Sequence, residues 1–265
     1  MLGKDHINIS IAFVLTFLIP LFFIGNIDTT YIAILMISVL IGSLLPDTDC
    51  GGKATIYYRF SMIDGFMKSV GKFIVFIFKH LISKKKITAE YDVRDEHRGI
   101  MHSPVGVLFG SLILMIPIII FAVVFDFFNL KIILIIFIGI VIGQFLHLFE
   151  DSCTRSGINW GFPFSTINWK GDLITFNKQD KRPKYFAGMF YFLILLIVLG
   201  YSFEILREIN VILVYLMILI YNVIALFLMR VFSKGTRTKK VREIKEVKKK
   251  RRERRKEKSN RNGFF

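Results

Sequence analysis

Six long apolar blocks constrain this chain more than any other feature of it. They cover about residues 7–25, 29–46, 104–125, 130–149, 185–203 and 209–232, and none shows the polar alternation of a half-buried strand. A helix of about 20 residues crosses the hydrocarbon core of a bilayer, which is the length of these blocks. Soluble domains must cover their cores with polar side chains, whereas 54% of these 265 residues are hydrophobic and the mean hydropathy is +0.55. The expected fold is an all-α polytopic membrane bundle of six transmembrane helices. The first block lacks the basic flank and small-residue cleavage site of a signal peptide, so it reads as a retained span. The second is short and stops at Pro46, which puts its end near the headgroups.

The placement of Lys and Arg orients the bundle. With the N-terminus inside, the outer connections near Asn26–Asp28, Phe125–Lys131 and Phe203–Glu208 carry only Lys131 and Arg207. The 47–103 and 151–184 connections and the tail then lie inside, where positive charge is favoured. Both termini are therefore expected on the cytoplasmic side of an inner or plasma membrane. Residues 1–232 read as the membrane domain and 233–265 as a basic tail. That tail has sixteen Lys/Arg against four Glu, which accounts for +12 of the net +16. Its 234–261 stretch is either a solvated charge run or a contact for anionic lipid headgroups or nucleic acid through phosphates. No aromatic residues interleave it, so base stacking is not expected.

Between the second and third blocks, Phe66, Val70, Phe73, Ile74, Ile77 and Leu81 recur at helical spacing, with Lys68, Lys72 and Lys79 among them. The pattern predicts an interfacial amphipathic helix or a re-entrant hairpin, with His80 an interfacial residue of it. The two cysteines, Cys50 and Cys153, make no disulfide framework and are expected to be reduced in a cytoplasmic setting.

Polar residues gather where these blocks meet the inner face. His147, Asp151 and Thr154 recur at i, i+4 and i+7 and share one helical face, which Gly139 and Gly143 continue as a route for close helix approach. A His and an Asp one turn apart on an apolar helix are expensive in lipid, so they face a cavity or close the helix end as a bonded pair. Asp47 and Asp49 follow Pro46, where a turn can aim both carboxylates at one cation or merely cap the helix exit. His97 and His102 flank Gly99, and Ser103-Pro104 is a helix-start signature. His6 precedes the first block at the same face. Mixed imidazole and carboxylate donors suit zinc, manganese or iron, and their number is enough for two neighbouring ions.

These motifs support a resemblance. Leu45-Pro46-Asp47-x-Asp49, His97-Arg98-Gly99-x-x-His102-Ser103 and His147-x-x-x-Asp151-x-x-Thr154-x-x-Gly157, then Pro163-Phe164, resemble the YdjM-like family of inner-membrane metal-dependent hydrolases over about residues 1–200. The resemblance implies metal ligation by His6, Asp47, Asp49, His97, His102, His147 and Asp151. The chain departs from the pattern at Cys50, where His is expected, and at Met101, where Thr is expected.

The function expected from these readings is metal-dependent hydrolysis of a phosphoester or related bond in a lipid or membrane-proximal substrate, using one or two divalent ions, zinc or manganese foremost. Asp49 or Asp151 would act as general base, and Arg98 or Arg155 would hold an anionic group. The alternative is a non-enzymatic membrane protein with a structural metal and a recruiting tail. Transport is disfavoured, because the spans offer little polar interior beyond Asn210, Asn222 and a few Ser/Thr.

Overall fold

The computed structural model describes the backbone of residues 3–25, 28–50, 65, 69–70, 72–74, 76–77, 100–162, 165, 167–174 and 180–239, with the side chains of 48–50, 100 and 237–239 left aside. Within these residues, six helices are long and apolar enough to cross a membrane. They are α1 (Gly3–Ile24), α2 (Thr29–Leu44), α3 (Pro104–Val124), α4 (Leu130–Ser152), α5 (Arg182–Ser202) and α6 (Val211–Phe232). Each expected apolar block is one of them.

Side-chain caps start several of these helices. Asp28 accepts from the Thr30 amide at 2.8 Å, Asn129 from Lys131 at 3.0 Å and Asn210 from Ile212 at 2.9 Å. Ser103 accepts from Gly106 at 3.1 Å with Pro104 as the first helical residue, as the sequence signature requires. Such caps contribute about 1 kcal/mol each. Asn210 is thus a cap rather than a polar interior group.

Two boundaries differ from expectation. Helix α1 begins at Gly3, so His6 lies within the helix rather than before it. Helix α4 ends at Ser152, so Thr154 sits in the following turn instead of continuing the His147–Asp151 face. There its amide and its hydroxyl both donate to the Asp151 carbonyl, at 3.0 and 2.8 Å, and Gly157 takes a φ of +62° that favours glycine.

Helices α2 and α4 cross closely, and glycines permit it. A methyl group on Gly139 would come 2.6 Å from Ser38 Cβ; one on Gly42 would strike the Ile140 carbonyl, and one on Gly143 the Val39 carbonyl. The neighbour anticipated for Gly139 and Gly143 is therefore α2. Elsewhere α1 contacts α2 and α5, α3 packs on α4, and α6 on α5 and α1. Val14, Leu18, Ile32, Val39 and Leu146 form one buried cluster; Ile9, Ala12, Phe186, Phe190 and Met229 belong to another. Polar pairs cross the bundle as well. The Asn222 amide donates to Thr16 Oγ1 at 2.8 Å, and the Gln144 amide to Ser111 Oγ at 2.7 Å. Outward-facing Ile116, Ile120, Phe121, Ile212 and Phe227 remain exposed, as a lipid-facing surface requires.

A small ribbon caps the end of the bundle where α4 stops. Strands β1 (Ile167–Lys170) and β2 (Thr236–Lys239) pair antiparallel, with Ile167 opposite Lys239. The loop before β1 folds back on itself: Ile158 and Trp169 exchange backbone bonds of 2.9 and 2.7 Å, and the Gly171 amide donates to Thr154 at 2.9 Å. Arg230 donates to the carbonyls of Ser152 and Thr236 and stands over the Trp169 ring. Part of the 66–82 stretch is helical, and its Val70 and Ile74 are buried in one cluster with Leu45 and Met101. His80 lies outside the described residues.

Candidate metal centre

Four segments meet at the ribbon end of the bundle. Leu45–Cys50 tightens into a 3-10 turn as it leaves α2, which brings Asp47 back toward the helix ends. A second 3-10 turn, Ile100–His102, precedes the Ser103 cap and fixes His102. His147 and Asp151 come from the last two turns of α4, and His6 from the start of α1.

One ligand atom from each of Asp47, His102, His147 and Asp151 falls within a sphere in which all lie 4.8 Å or less apart. His102 Nε2 is 3.5 Å from Asp47 Oδ1 and 3.7 Å from Asp151 Oδ2. His147 Nε2 is 3.6 and 3.9 Å from the same two oxygens. A tetrahedral ion with bonds of about 2.0–2.1 Å has donor–donor edges of about 3.3 Å, so the four His–Asp edges are a few tenths of an ångström too long, and no pair in the group is more than 4.8 Å apart. The four residues can hold a metal ion. Zinc and manganese both accept such a donor set.

The surroundings match that chemistry. His147 Nδ1 lies 2.7 Å from the Ser43 carbonyl, which can only accept. The proton therefore sits on Nδ1, and Nε2 turns its lone pair to the centre. That Nε2 is buried and has no hydrogen-bond partner among the described residues. His102, His147 and Asp151 are essentially inaccessible, while the Asp47 side chain is 14% exposed and marks the open edge. Closing so many polar groups away from water is costly unless they pair or share an ion.

His6 joins this group from α1, though not among the four. Its ring stacks on His147 with centroids 3.9 Å apart, and its Nε2 lies 3.6 Å from Asp151 Oδ1. Its Nδ1 lies 2.7 Å from Oε2 of Glu150, a residue that the motifs do not contain. A carboxylate inside an apolar helix was itself the signal for Glu150, since such a group is rarely left in a span without a role.

The remaining expected residues divide simply. The Asp49 and Cys50 side chains, His97 and Arg98 lie outside what is described. Arg155 is exposed at the same end of the bundle. Met101, at the position where the resemblance expects Thr, is buried with Leu45 and Val70 and would touch any Cβ at Gly110. Cys153 is a free, buried thiol, and burial pushes it above the ordinary range of a cysteine. It packs with Leu173, Phe186 and Met229.

No curated protein and no solved structure matches this chain. A family model described as YdjM inner membrane protein matches residues 1–232, a stretch that holds every donor above, and the chain belongs to that family.

Proposed function

We propose that this protein is a membrane-bound metal-dependent hydrolase that cleaves a phosphoester or related bond in a lipid or membrane-proximal substrate. The observation that carries the proposal is the convergence of Asp47, His102, His147 and Asp151 within 4.8 Å at one end of the bundle. A divalent ion held there, zinc or manganese, would lower the pKa of a bound water and polarise the scissile group. His102 and His147 supply neutral nitrogens, and the two carboxylates offset the charge of the ion. Asp151, enclosed by imidazoles of His6, His102 and His147, is assigned to ion binding. Asp49, in the same turn as Asp47, is assigned to receive the proton of the attacking water. His97 is a further ligand, and Arg98 and Arg155 are the contacts for an anionic substrate.

The Lys/Arg asymmetry supports a cytoplasmic location for this end, with both termini inside. The basic segment 234–261 then lies on the same side and recruits anionic headgroups or nucleic acid.

Metal analysis of the purified protein, followed by a screen of phosphatase, phospholipase and esterase substrates, tests the reading. The expected result is bound zinc or manganese and a turnover that chelation and His147→Ala both abolish. Metal without turnover on any class would instead indicate a structural ion. A protein that takes up no metal would end the proposal.

A further inference from the structure

At the end of the bundle opposite the metal centre, α1, α2 and α4 enclose a cavity of about 440 Å³. Gly42, Gly139 and Gly143 bring the α2 and α4 backbones together further along these helices. Nearer the helix starts the glycines give way to Tyr31, Leu35, Lys131 and Ile135, and the cavity opens there against Leu18 and Leu21 of α1.

Its lining changes polarity with depth. Asp28, Tyr31 and Lys131 stand at the starts of α2 and α4, the level at which Tyr and Lys anchor a span among headgroups. Leu35 and Ile135 follow one helical turn, about 5.4 Å, further in, and buried Leu18 and Ile32 complete an apolar wall. A charged mouth over an apolar interior has the polarity of a lipid molecule.

The mouth carries one charge of each sign. Lys131 Nζ stands 4.1 Å from the centre of the Tyr31 ring, a cation–π contact that holds the ammonium at the cavity. Arg207, a second cation at this end, is paired with Glu204 at 3.1 Å, whereas Lys131 makes no ion pair among the described residues. Asp28 accepts from the Thr30 amide at 2.8 Å as the cap of α2. Hydrogen bonds from Thr30, and to a smaller extent the charge of Lys131, hold its carboxyl below the ordinary range. A carboxylate has about four acceptor sites, so the cap leaves room for a further donor.

We infer that this cavity binds one zwitterionic phospholipid with a primary-amine headgroup. Its phosphate sits on Lys131, its ammonium on Asp28, and one acyl chain runs along Leu35 and Ile135. Charge complementarity selects this occupant. Phosphate and ammonium match Lys131 and Asp28 in sign and in sum, whereas an anionic headgroup would set a second negative charge beside Asp28. A quaternary ammonium could not donate a hydrogen bond to that carboxylate.

Native mass spectrometry of the full-length, delipidated protein in detergent tests this, with phosphatidylethanolamine and phosphatidylglycerol of matched acyl chains as probes. The expected result is one tight phosphatidylethanolamine per chain, with phosphatidylglycerol and later lipids bound about tenfold more weakly. Lys131→Gln should weaken the tight lipid by about three- to tenfold. Asp28→Asn keeps the cap and should erase the preference for the amine headgroup. Ile135→Trp fills the cavity and should remove the tight lipid of either class; should that variant fail to fold, the exposed Lys131→Gln tests the site without touching the packing. Binding with no distinct first lipid would indicate only a general lipid coat and overturn the site. A tight lipid that survives Lys131→Gln unchanged would lie elsewhere and overturn it equally. A tight lipid with no headgroup preference, or one for phosphatidylglycerol, would overturn the amine assignment.

Discussion

His147 Nδ1 and the Ser43 carbonyl oxygen lie 2.7 Å apart, which ties the last turn of α2 to the face of α4 that carries the metal donors. The contact depends on backbones that approach more closely than side chains normally allow. Gly42, Gly139 and Gly143 make that approach possible.

Gly143→Ala should therefore be harmful, although alanine is ordinarily the better helix former by about 1 kcal/mol. The new methyl would meet the Val39 carbonyl and the Ser43 amide, so a loss of about 1–3 kcal/mol is expected, together with weaker metal binding. Gly188→Ala in α5 meets nothing within 4 Å and serves as the matched control, neutral or slightly stabilising. Thermal unfolding in detergent separates the two; equal stability for both variants would rule out the tight crossing.

Asp47 distinguishes a ligand from a helix cap. Asn caps about as well as Asp, so a capping role predicts a silent Asp47→Asn. Its Oδ1 instead lies 3.5 and 3.6 Å from the imidazoles of His102 and His147. The substitution should lower metal affinity by about tenfold or more while the bundle stays assembled. Equilibrium dialysis against Zn²⁺ or Mn²⁺ reads this, and unchanged affinity would remove Asp47 from the site.

The ribbon predicts where the tail can be cut. A chain that ends after residue 239 keeps β2, whereas one that ends after 235 loses the partner of β1. The longer chain should resist proteolysis in the 153–174 loop, and the shorter one should be cleaved there with a shift in Trp169 emission. Arg230→Ala should resemble the shorter chain, with a loss of about 1.5–3 kcal/mol from its charged hydrogen bonds, and Arg230→Lys should recover only part of it. Metal content should survive both truncations.

Acid sensitivity should come partly from the entry to α5. Arg182 donates to Asp180 at 2.9 and 2.6 Å and to Asp172 at 2.5 Å, and its hydrogen bonds hold the Asp180 carboxyl below the ordinary range. A carboxyl with a lower pKa folded than unfolded contributes its full stabilisation above the unfolded value, near about 4. That contribution drains away as pH falls through the folded value. Asp180→Asn should lower the unfolding temperature at neutral pH and flatten its decline below about pH 4. Parallel pH profiles for the two proteins would show that the pair contributes nothing.

The sequence made the membrane architecture legible because apolar length is a strong one-dimensional signal. The Ser103 cap, the shared face of His147 and Asp151, and the role of Gly139 and Gly143 could also be read from local spacing. Glu150 could not be placed from spacing alone. It neighbours Asp151 in the chain but turns about 100° away around the helix, toward His6 near the N-terminus. The ribbon was equally hidden, since β1 and β2 are only four residues each and joined by long-range pairing. Thr154 was misplaced because the helical period was carried two residues past the point where α4 ends.

The donors also come off the ribosome in a definite order. His6 is made with the first span, Asp47 after the second and His102 before the third, whereas α4 alone brings His147, Glu150 and Asp151. An acidic residue at the centre of an isolated inserting helix costs about 2.5–3.5 kcal/mol, and less toward its ends. Glu150 and Asp151 sit near the end of α4 and find His6 and His102 already synthesised. Arrival of the fourth helix thus completes the donor group, though not the bundle, and a defect at His6 in α1 would be felt when α4 docks rather than when α1 itself inserts.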